Sequence, residues 1–414
     1  MSTTPRYHVH MIWTRNIEGE AGFGRLKMAQ AIAAGLRDGY DVSSGRLLSI
    51  LDRRSLAALV RAGVAFLRAL LEWRPLPMQC LLYADPKAVA QAVAAIPAGT
   101  TAVYLDGVRC VAVLRRLRAQ RPDIAIVTDL DDLMSRRMVL TLSLGEPPSL
   151  GYLSNAMPGL VARLIGSPVV ARAMLRYEGR TLAGIERLVA RLSDRSVLIS
   201  SCDADVLGAR IGSSRGIVGI GPPAPRLCPP QPFADARALR FVFVGSDALR
   251  QNQLTIDWLV SLWTEHALDT PLVIHGRQTR AIAAPPAVTF AGFARTIDEI
   301  YDGRSILLSP SFLAGGVKTK VIEAFGYGAP VVGNAITFEG MDIGDYPLCL
   351  ADQAIAPIAR DPERHRALFA AAARSGAAIA RTRHDPAQFD QRWRDVVGAA
   401  IAGCANRTGE LRSA

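Results

Sequence analysis

Eleven residues near the middle of the chain, 222–232 (PPAPRLCPPQP), include six prolines. Such a stretch can form neither a helix nor a central strand, because each ring fixes φ and removes an amide donor. It divides the 414-residue chain and reads as a stiff connector between two domains. Beyond it, residues 240–245 (RFVFVG), 271–276, 288–292, 305–309 and 330–333 are short apolar runs that read as strands. Helical spacing separates them at 253–265, 297–301 and 317–327. Ahead of it, 8–13, 101–105, 125–129 and 196–200 read as strands, and 24–36 as a helix with Leu26, Ala29, Ile32, Ala33 and Leu36 on one face. Strands that are apolar throughout and alternate with helices mean parallel sheets covered on both faces. Two such sheets in series imply a cleft, with ligands at the carboxyl ends of the strands. Phe389, Trp393 and Val397, four apart, predict a last amphipathic helix over 385–402.

Half of the residues are apolar and 21% are charged, the balance of a globular chain with two cores. The longest uncharged run, 88–105, contains Pro97 and Gly99 and is not a membrane span. The opening residues, MSTTPRYHVHMIW, lack an apolar segment with a cleavage site, as expected of a cytoplasmic protein. Six cysteines are scattered without C-x-x-C spacing, which supports neither a disulfide framework nor a metal site. The net charge of +11 lies wholly in the first half: residues 1–230 hold 29 basic and 18 acidic side chains, the remainder 19 of each. A basic half suits an anionic partner. Nucleic acid is set aside, because no aromatic residues interleave with the basic ones and no nucleic-acid motif occurs. Within this half, 51–73 (LDRRSLAALVRAGVAFLRALLEW) places Arg54, Arg61 and Arg68 seven apart. It reads as a core helix with a solvated stripe or as a helix lying on a membrane surface.

The densest chemical signal is 309–340 (SPSFLAGGVKTKVIEAFGYGAPVVGNAITFEG). A strand ends, a loop with Gly315, Gly316 and Val317 follows, and a helix begins. Free amides at a helix start favour an anion, and glycine lets a ligand approach the backbone. Lys318 and Lys320 stand in the first turn, where cations oppose the helix dipole unless an anion is present. Glu323, one turn on, suits the paired hydroxyls of a ribose. In the first half, Asp129-Leu130-Asp131-Asp132 follows a strand. Buried carboxylates there need a cation or sugar hydroxyls, and Asp131 or Asp132 equally suits a helix N-cap. Asp106 and Arg109 follow the strand TAVYL, either facing ligand hydroxyls or serving as a cap and a surface arginine. Gly22 and Gly24 lie in a turn before a helix, too irregular for a dinucleotide fingerprint, and offer ligand-facing backbone or a plain tight turn.

Through Glu323-Ala324, the small-aromatic-Gly stretch and Gly328-Ala329-Pro330-Val331-Val332, the chain resembles the retaining glycosyltransferases of the GT-B fold, family 4 in particular. The match is dense over 240–345 and sparser over 104–138 and 183–220. The resemblance implies two Rossmann-like domains facing a central cleft, with the C-terminal helix crossing back to the first. It sets domains at 1–221 and 239–384, a linker at 222–238 and the returning helix at 385–414. It further implies a nucleoside-diphosphate sugar as donor, no cofactor or metal, and a saccharide or lipid-linked saccharide as acceptor in polysaccharide or glycolipid assembly. The first domain would contact the inner face of a membrane. Glu323 matches the family's ribose-binding glutamate. The region around Gly292-Phe293 matches the segment that holds the base, although Phe293 fits a core position equally. Arg277, which closes the preceding strand after His275-Gly276, is placed where it could face base or diphosphate.

Four positions depart from the pattern. Gly315 replaces the first glutamate, eight residues before Glu323; Ser246 and Asn252 replace a basic pair; and Asp131 stands where a histidine lies near the donor sugar. Lys318, Lys320 and Arg250 are then expected to neutralise the diphosphate. Donor contacts are expected from Gly22, Gly24, Ser246, Arg250, Arg277, Phe293, Gly315, Gly316, Val317 and Glu323, catalytic ones from Asp131, Lys318 and Lys320, and acceptor-side ones from Asp106, Arg109 and Asp132. Alternatives are a non-catalytic subunit of this fold and a sugar-nucleotide epimerase.

Overall fold

The computed structural model describes residues 6–18, 24–53, 56–72, 75–143, 168–230, 238–313 and 315–413. The chain forms two compact units, Met1–Ile220 with Ala387–Ala414, and Gly221–Pro386.

The first unit holds strands β1 (His8–Trp13), β2 (Asp41–Arg46), β3 (Thr100–Asp106), β4 (Ala125–Asp131), β5 (Arg195–Leu198) and β6 (Ile217–Gly219). They pair in parallel in the order β2-β1-β3-β4-β5-β6. Both faces are buried, which is why β1, β3 and β4 read as apolar runs. Val9, Met11, Trp13 and Tyr104 pack with helix α1 (Gly24–Arg37) and the C-terminal helix through Trp393 and Val397. Ile12, Val103, Leu105 and Ile126 form the opposite layer. The Trp13 and Tyr104 rings meet at 4.8 Å, and Tyr104 and Trp393 at 5.8 Å. The C-terminal helix therefore completes the core of the first unit, as Phe389 and Trp393 foreshadow in the sequence. Strand β2 (DVSSGR) carries a single branched apolar residue, and its edge position explains why periodicity misses it.

Helix α2 (Leu56–Leu71) leaves an apolar stripe in solvent: Val60 is 58% exposed, Val64 44%, Leu67 60% and Leu71 80%. Arg61 on this helix pairs with the buried Asp85 at 2.7 Å.

The second unit holds β7 (Arg240–Val244), β8 (Leu272–His275), β9 (Val288–Gly292), β10 (Ser305–Leu308) and β11 (Val331–Val332), all parallel, in the order β11-β10-β7-β8-β9. The chain runs from β7 through β8 to β9 on one side and then crosses to β10 and β11 on the other, so the switch point of this sheet lies between β7 and β10, where open α/β sheets receive ligands. Phe241 packs edge-on against Trp263 of α3 (Arg250–Glu265) and Phe369 of α5 (Arg366–Arg383), at 5.9 and 6.2 Å. Between them in sequence lies α4 (Thr319–Gly326).

The proline-rich stretch is not a free spacer over 221–230. Ala224 is in the core of the second unit, its amide donates to His384 O at 2.7 Å, and Cys228 N donates to Gly326 O at 2.7 Å. A Cβ at Gly326 or Gly328 would strike the carbonyl oxygens of Arg226 or Pro229. The F-G-Y-G pattern at the end of α4 is therefore dictated by this strap crossing it.

Candidate functional site

The carboxyl ends of β7 and β10 in the second unit carry the lysines singled out by sequence. Lys318 is the N-cap of α4, with φ −83° and ψ 93°. Its side chain is buried, and its ammonium donates to the carbonyl oxygens of Gly315 and Gly316, both at 3.0 Å. The two glycines have φ of 113° and 71°, a region that side chains resist, so the loop can fold onto the ammonium only with glycine there. Lys318 thus clamps the loop while bringing a positive charge to the helix start.

Lys320 donates to Asn252 Oδ1 at 3.0 Å, and its ammonium lies 4.2 Å from the centre of the buried Phe243 ring. No carboxylate lies within ion-pairing distance of it among the described residues. Burial and the neighbouring Lys318 push its pKa down to about 7. A cation desolvated without a counter-ion is costly, and an anion at this switch point would offset that cost. Asn252 is fixed by donating to Ser246 O at 2.9 Å and presses on Gly245, where a Cβ would come within 2.7 Å of its carboxamide. The residue that replaces half of a basic pair is therefore the one that seats Lys320, a link no spacing rule reveals.

Expectations for the Gly315 amide are corrected: it donates to Glu339 Oε2 at 2.8 Å, so this N–H is already engaged by a carboxylate. Glu339 was missed from sequence because it lies 24 residues further on. Glu323 is half-buried on α4, where its charge raises the phenol pKa of Tyr301 and Tyr327 after burial, the larger cause. Ser246 Oγ accepts from Ala248 N at 3.3 Å and shapes the turn into α3. Arg250 begins α3 and reaches Gln253 at 3.4 Å. Arg277 is exposed after β8, its carbonyl accepting from Asp247 N. Phe293 is 78% exposed, which overturns a core position for it and leaves its ring open beside the end of β9. Val317 packs partly against the core.

The first unit gathers a second cluster at the ends of β1, β3 and β4. Asp106 is buried and accepts from Thr14 N (3.1 Å), Thr14 Oγ1 (2.6 Å) and the fork of Arg15 (3.0 and 3.2 Å). Arg25, in the first turn of α1, reaches Asp129 at 2.8 Å, Asp131 at 3.1 Å and Asp106 at 3.3 Å. Tyr104 donates to Asp129 at 2.7 Å. Burial would raise the Asp106 carboxyl, but Arg15, Arg25 and Thr14 outweigh it and hold it at about 2. Both oxygens of Asp106 are engaged, so the structure makes it an anchor rather than a group open to acceptor hydroxyls. Asp132 accepts from Arg137 at 3.3 Å. Arg109 lies 6.0 Å from the Tyr83 ring. Gly24 opens α1, whereas Gly22 lies outside the described residues. Sequence reading marked the three aspartates but missed Arg25 as their shared partner, because only the pairing of β3 with β4 and the packing of α1 beside their carboxyl ends bring positions 25, 106, 129 and 131 together.

Asp131 differs from its neighbours. Its φ is 62°, and burial, with Asp132 and Asp129, lifts its carboxyl to about 7 against the pull of Arg25. The unfolded chain releases this proton near the ordinary carboxylate value, so between about pH 4 and 7 the native state holds more protons and loses stability as pH rises. Asparagine tolerates positive φ best among side-chain-bearing residues. Asp131→Asn is therefore expected to melt above the wild type at pH 8, the gap closing toward pH 4. Parallel melting curves would contradict the raised carboxyl.

Two parallel-sheet α/β units, with the last helix returned to the first, define the GT-B class of fold. Residues 238–357 match the family described as "Glycosyl transferases group 1". The chain is similar to sucrose-phosphate synthase from Thermosynechococcus elongatus, at TM-score 0.60 and 13% identity, over 96% of this chain and 100% of that one. HepE of Anabaena, in complex with UDP and glucose, superposes at TM-score 0.59 and 14% identity, over 95% of this chain and 100% of that one. Its complex with UDP-glucose gives TM-score 0.58 and 13% identity, over 95% and 99%. At these identities the likeness establishes the fold. No curated protein matches the chain significantly in sequence.

Proposed function

We propose that the chain is a retaining glycosyltransferase of family 4 type that binds a nucleoside-diphosphate sugar at the carboxyl ends of β7 and β10. The observation that carries this reading is Lys320, a desolvated cation beside a second ammonium at the switch point of the sheet. Diphosphate supplies the missing charge, and Glu323 accepts the ribose hydroxyls. As the glycosidic bond to phosphate breaks, charge builds on the leaving diphosphate, where fixed cations stabilise it most. The lysines fill the role a divalent ion takes elsewhere, so no metal or other cofactor enters the proposal. The first unit binds a saccharide or lipid-linked saccharide of polysaccharide or glycolipid assembly. Asp131, whose carboxyl burial lifts to about 7, faces the acceptor hydroxyl or the transferred sugar. Because the HepE complexes contain UDP and UDP-glucose, uridine compounds are the first probes. A cognate diphosphate at 100 times its dissociation constant stabilises the chain by about 2.7 kcal/mol. A melting-temperature screen of UDP, GDP and ADP with their sugars tests this, and no shift with any of them would defeat the donor reading.

The proposal includes contact with the cytoplasmic leaflet. Among the described residues no helix is long and apolar enough to cross a membrane. Helix α2 instead exposes Val60, Val64, Leu67 and Leu71 on one stripe, with Arg68 beside it in solvent. An apolar stripe on a basic unit suits anionic lipid. Burying each such side chain contributes about 1.5–3 kcal/mol when complete. Val64→Asp with Leu67→Asp is therefore expected to cut sedimentation with phosphatidylglycerol vesicles by at least about tenfold. Unchanged sedimentation would remove α2 as the contact.

A further inference from the structure

We infer that Glu339 supplies the carboxylate that reads the hydroxyls of the transferred sugar, at a loop where position 315 is glycine. The inference rests on the donor reading of the same site. Position 315 is closed to an acidic side chain by its backbone: φ is 113°, and Lys318 holds its carbonyl at 3.0 Å. A carboxylate reaches that point all the same. Glu339 Oε2 accepts the Gly315 amide at 2.8 Å.

The segment that carries Glu339 is built to hold it there. Asn334 Oδ1 accepts from Ser311 N at 3.2 Å and from Thr337 N at 3.1 Å, and Asn334 Nδ2 donates to Ser311 O at 3.0 Å and Asp352 at 2.9 Å. Thr337 donates to Ser309 O at 2.7 Å, so the segment is bonded to the carboxyl end of β10 itself. Phe338, the preceding residue, is buried and stacked 9° from parallel on Phe325 of α4. Glu339 is thus fixed against the same loop and helix that carry both lysines.

Charge decides what this carboxylate can meet. It repels a phosphate, so it does not face the diphosphate. It accepts O–H donors, which a hexose offers in adjacent pairs. Along the loop and helix, the order is Gly315 with its bound Glu339, then Gly316, Lys318 and Lys320, then Glu323. Carboxylates at both ends with cations between match a ligand that carries hydroxyl-bearing rings on either side of a diphosphate. For the bond to the Gly315 amide a neutral oxygen suffices, and a carboxamide would serve it equally well.

That difference is the test. Glu339→Gln keeps an acceptor for Gly315 N and removes the charge. The full chain is titrated with sugar-free diphosphates (UDP, GDP, ADP) and with UDP-glucose, GDP-mannose and ADP-glucose, and turnover of the bound sugar is measured. The expected result is diphosphate affinity within about twofold of wild type, with at least tenfold loss in nucleotide-sugar affinity or kcat. Glu339→Asp should restore part of the loss. Equal weakening of diphosphate and nucleotide sugar would make Glu339 a latch and overturn the assignment, as would no change in either. If the glutamine variant melts far below wild type, the same comparison on Glu339→Asp decides, with selective loss for the sugar as the supporting outcome. Failure of the wild type to bind any diphosphate would instead remove the donor reading and this assignment with it.

Discussion

Replacing Lys320 with methionine is expected to weaken nucleoside diphosphate binding by about 10- to 100-fold, the worth of roughly one charged hydrogen bond. Apo stability should hold or rise, because the variant removes a desolvated cation and leaves a flexible apolar chain on the Phe243 ring. The wild-type dependence on pH follows from the same burial. The ammonium pKa is depressed to about 7, well under that of an unfolded lysine. Between about pH 7 and 10 the unfolded chain therefore binds more protons, and apo stability rises with pH. Diphosphate needs the ammonium form. Its affinity should fall through the same window, by up to about tenfold per pH unit, while the methionine variant shows no such slope. A wild-type affinity flat from pH 6.5 to 9 would mean that Lys320 does not meet the ligand.

The largest effect on stability is expected at Asp106. Its carboxylate holds Arg15 at 3.0 Å and Arg25 at 3.3 Å, and accepts both bonds from Thr14. Asp106→Ala leaves two guanidinium groups partly stranded, at about 3–5 kcal/mol, or a fall in melting temperature of roughly 6–20 °C for a unit this size. The control is Asp123→Ala, which breaks an exposed pair with Arg121 and should cost no more than about 1 kcal/mol. Equal and small losses at both positions, measured by calorimetry, would show that the cluster beneath β3 and β4 is not an anchor.

The sequence made the architecture legible where burial is symmetric. Strands such as β7 (RFVFV) and β10 (SILL) are covered on both faces, so their apolar runs announce a parallel sheet. Strand β2 (DVSSGR) sits at an edge and carries no such signal. The lysine pair of the site was readable because cations at a helix start conflict with the helix dipole. Their partners were not. Asn252 reaches Lys320 across 68 residues, and Glu339 reaches Gly315 across 24. Arg25 joins Asp106, Asp129 and Asp131 only through the packing of α1 beside the carboxyl ends of β3 and β4. The proline-rich stretch was read as a spacer from its stiffness, yet the carbonyls of Arg226 and Pro229 crowd Gly326 and Gly328, so the same stiffness makes it a strap.

Isothermal titration of the full chain with UDP, GDP and ADP at pH 8, in two buffers of different protonation enthalpy, tests the diphosphate site most directly. The expected result is binding of at least one diphosphate with uptake approaching one proton, lost in Lys320→Met. Binding without proton exchange, or no binding of any of the three, would contradict it.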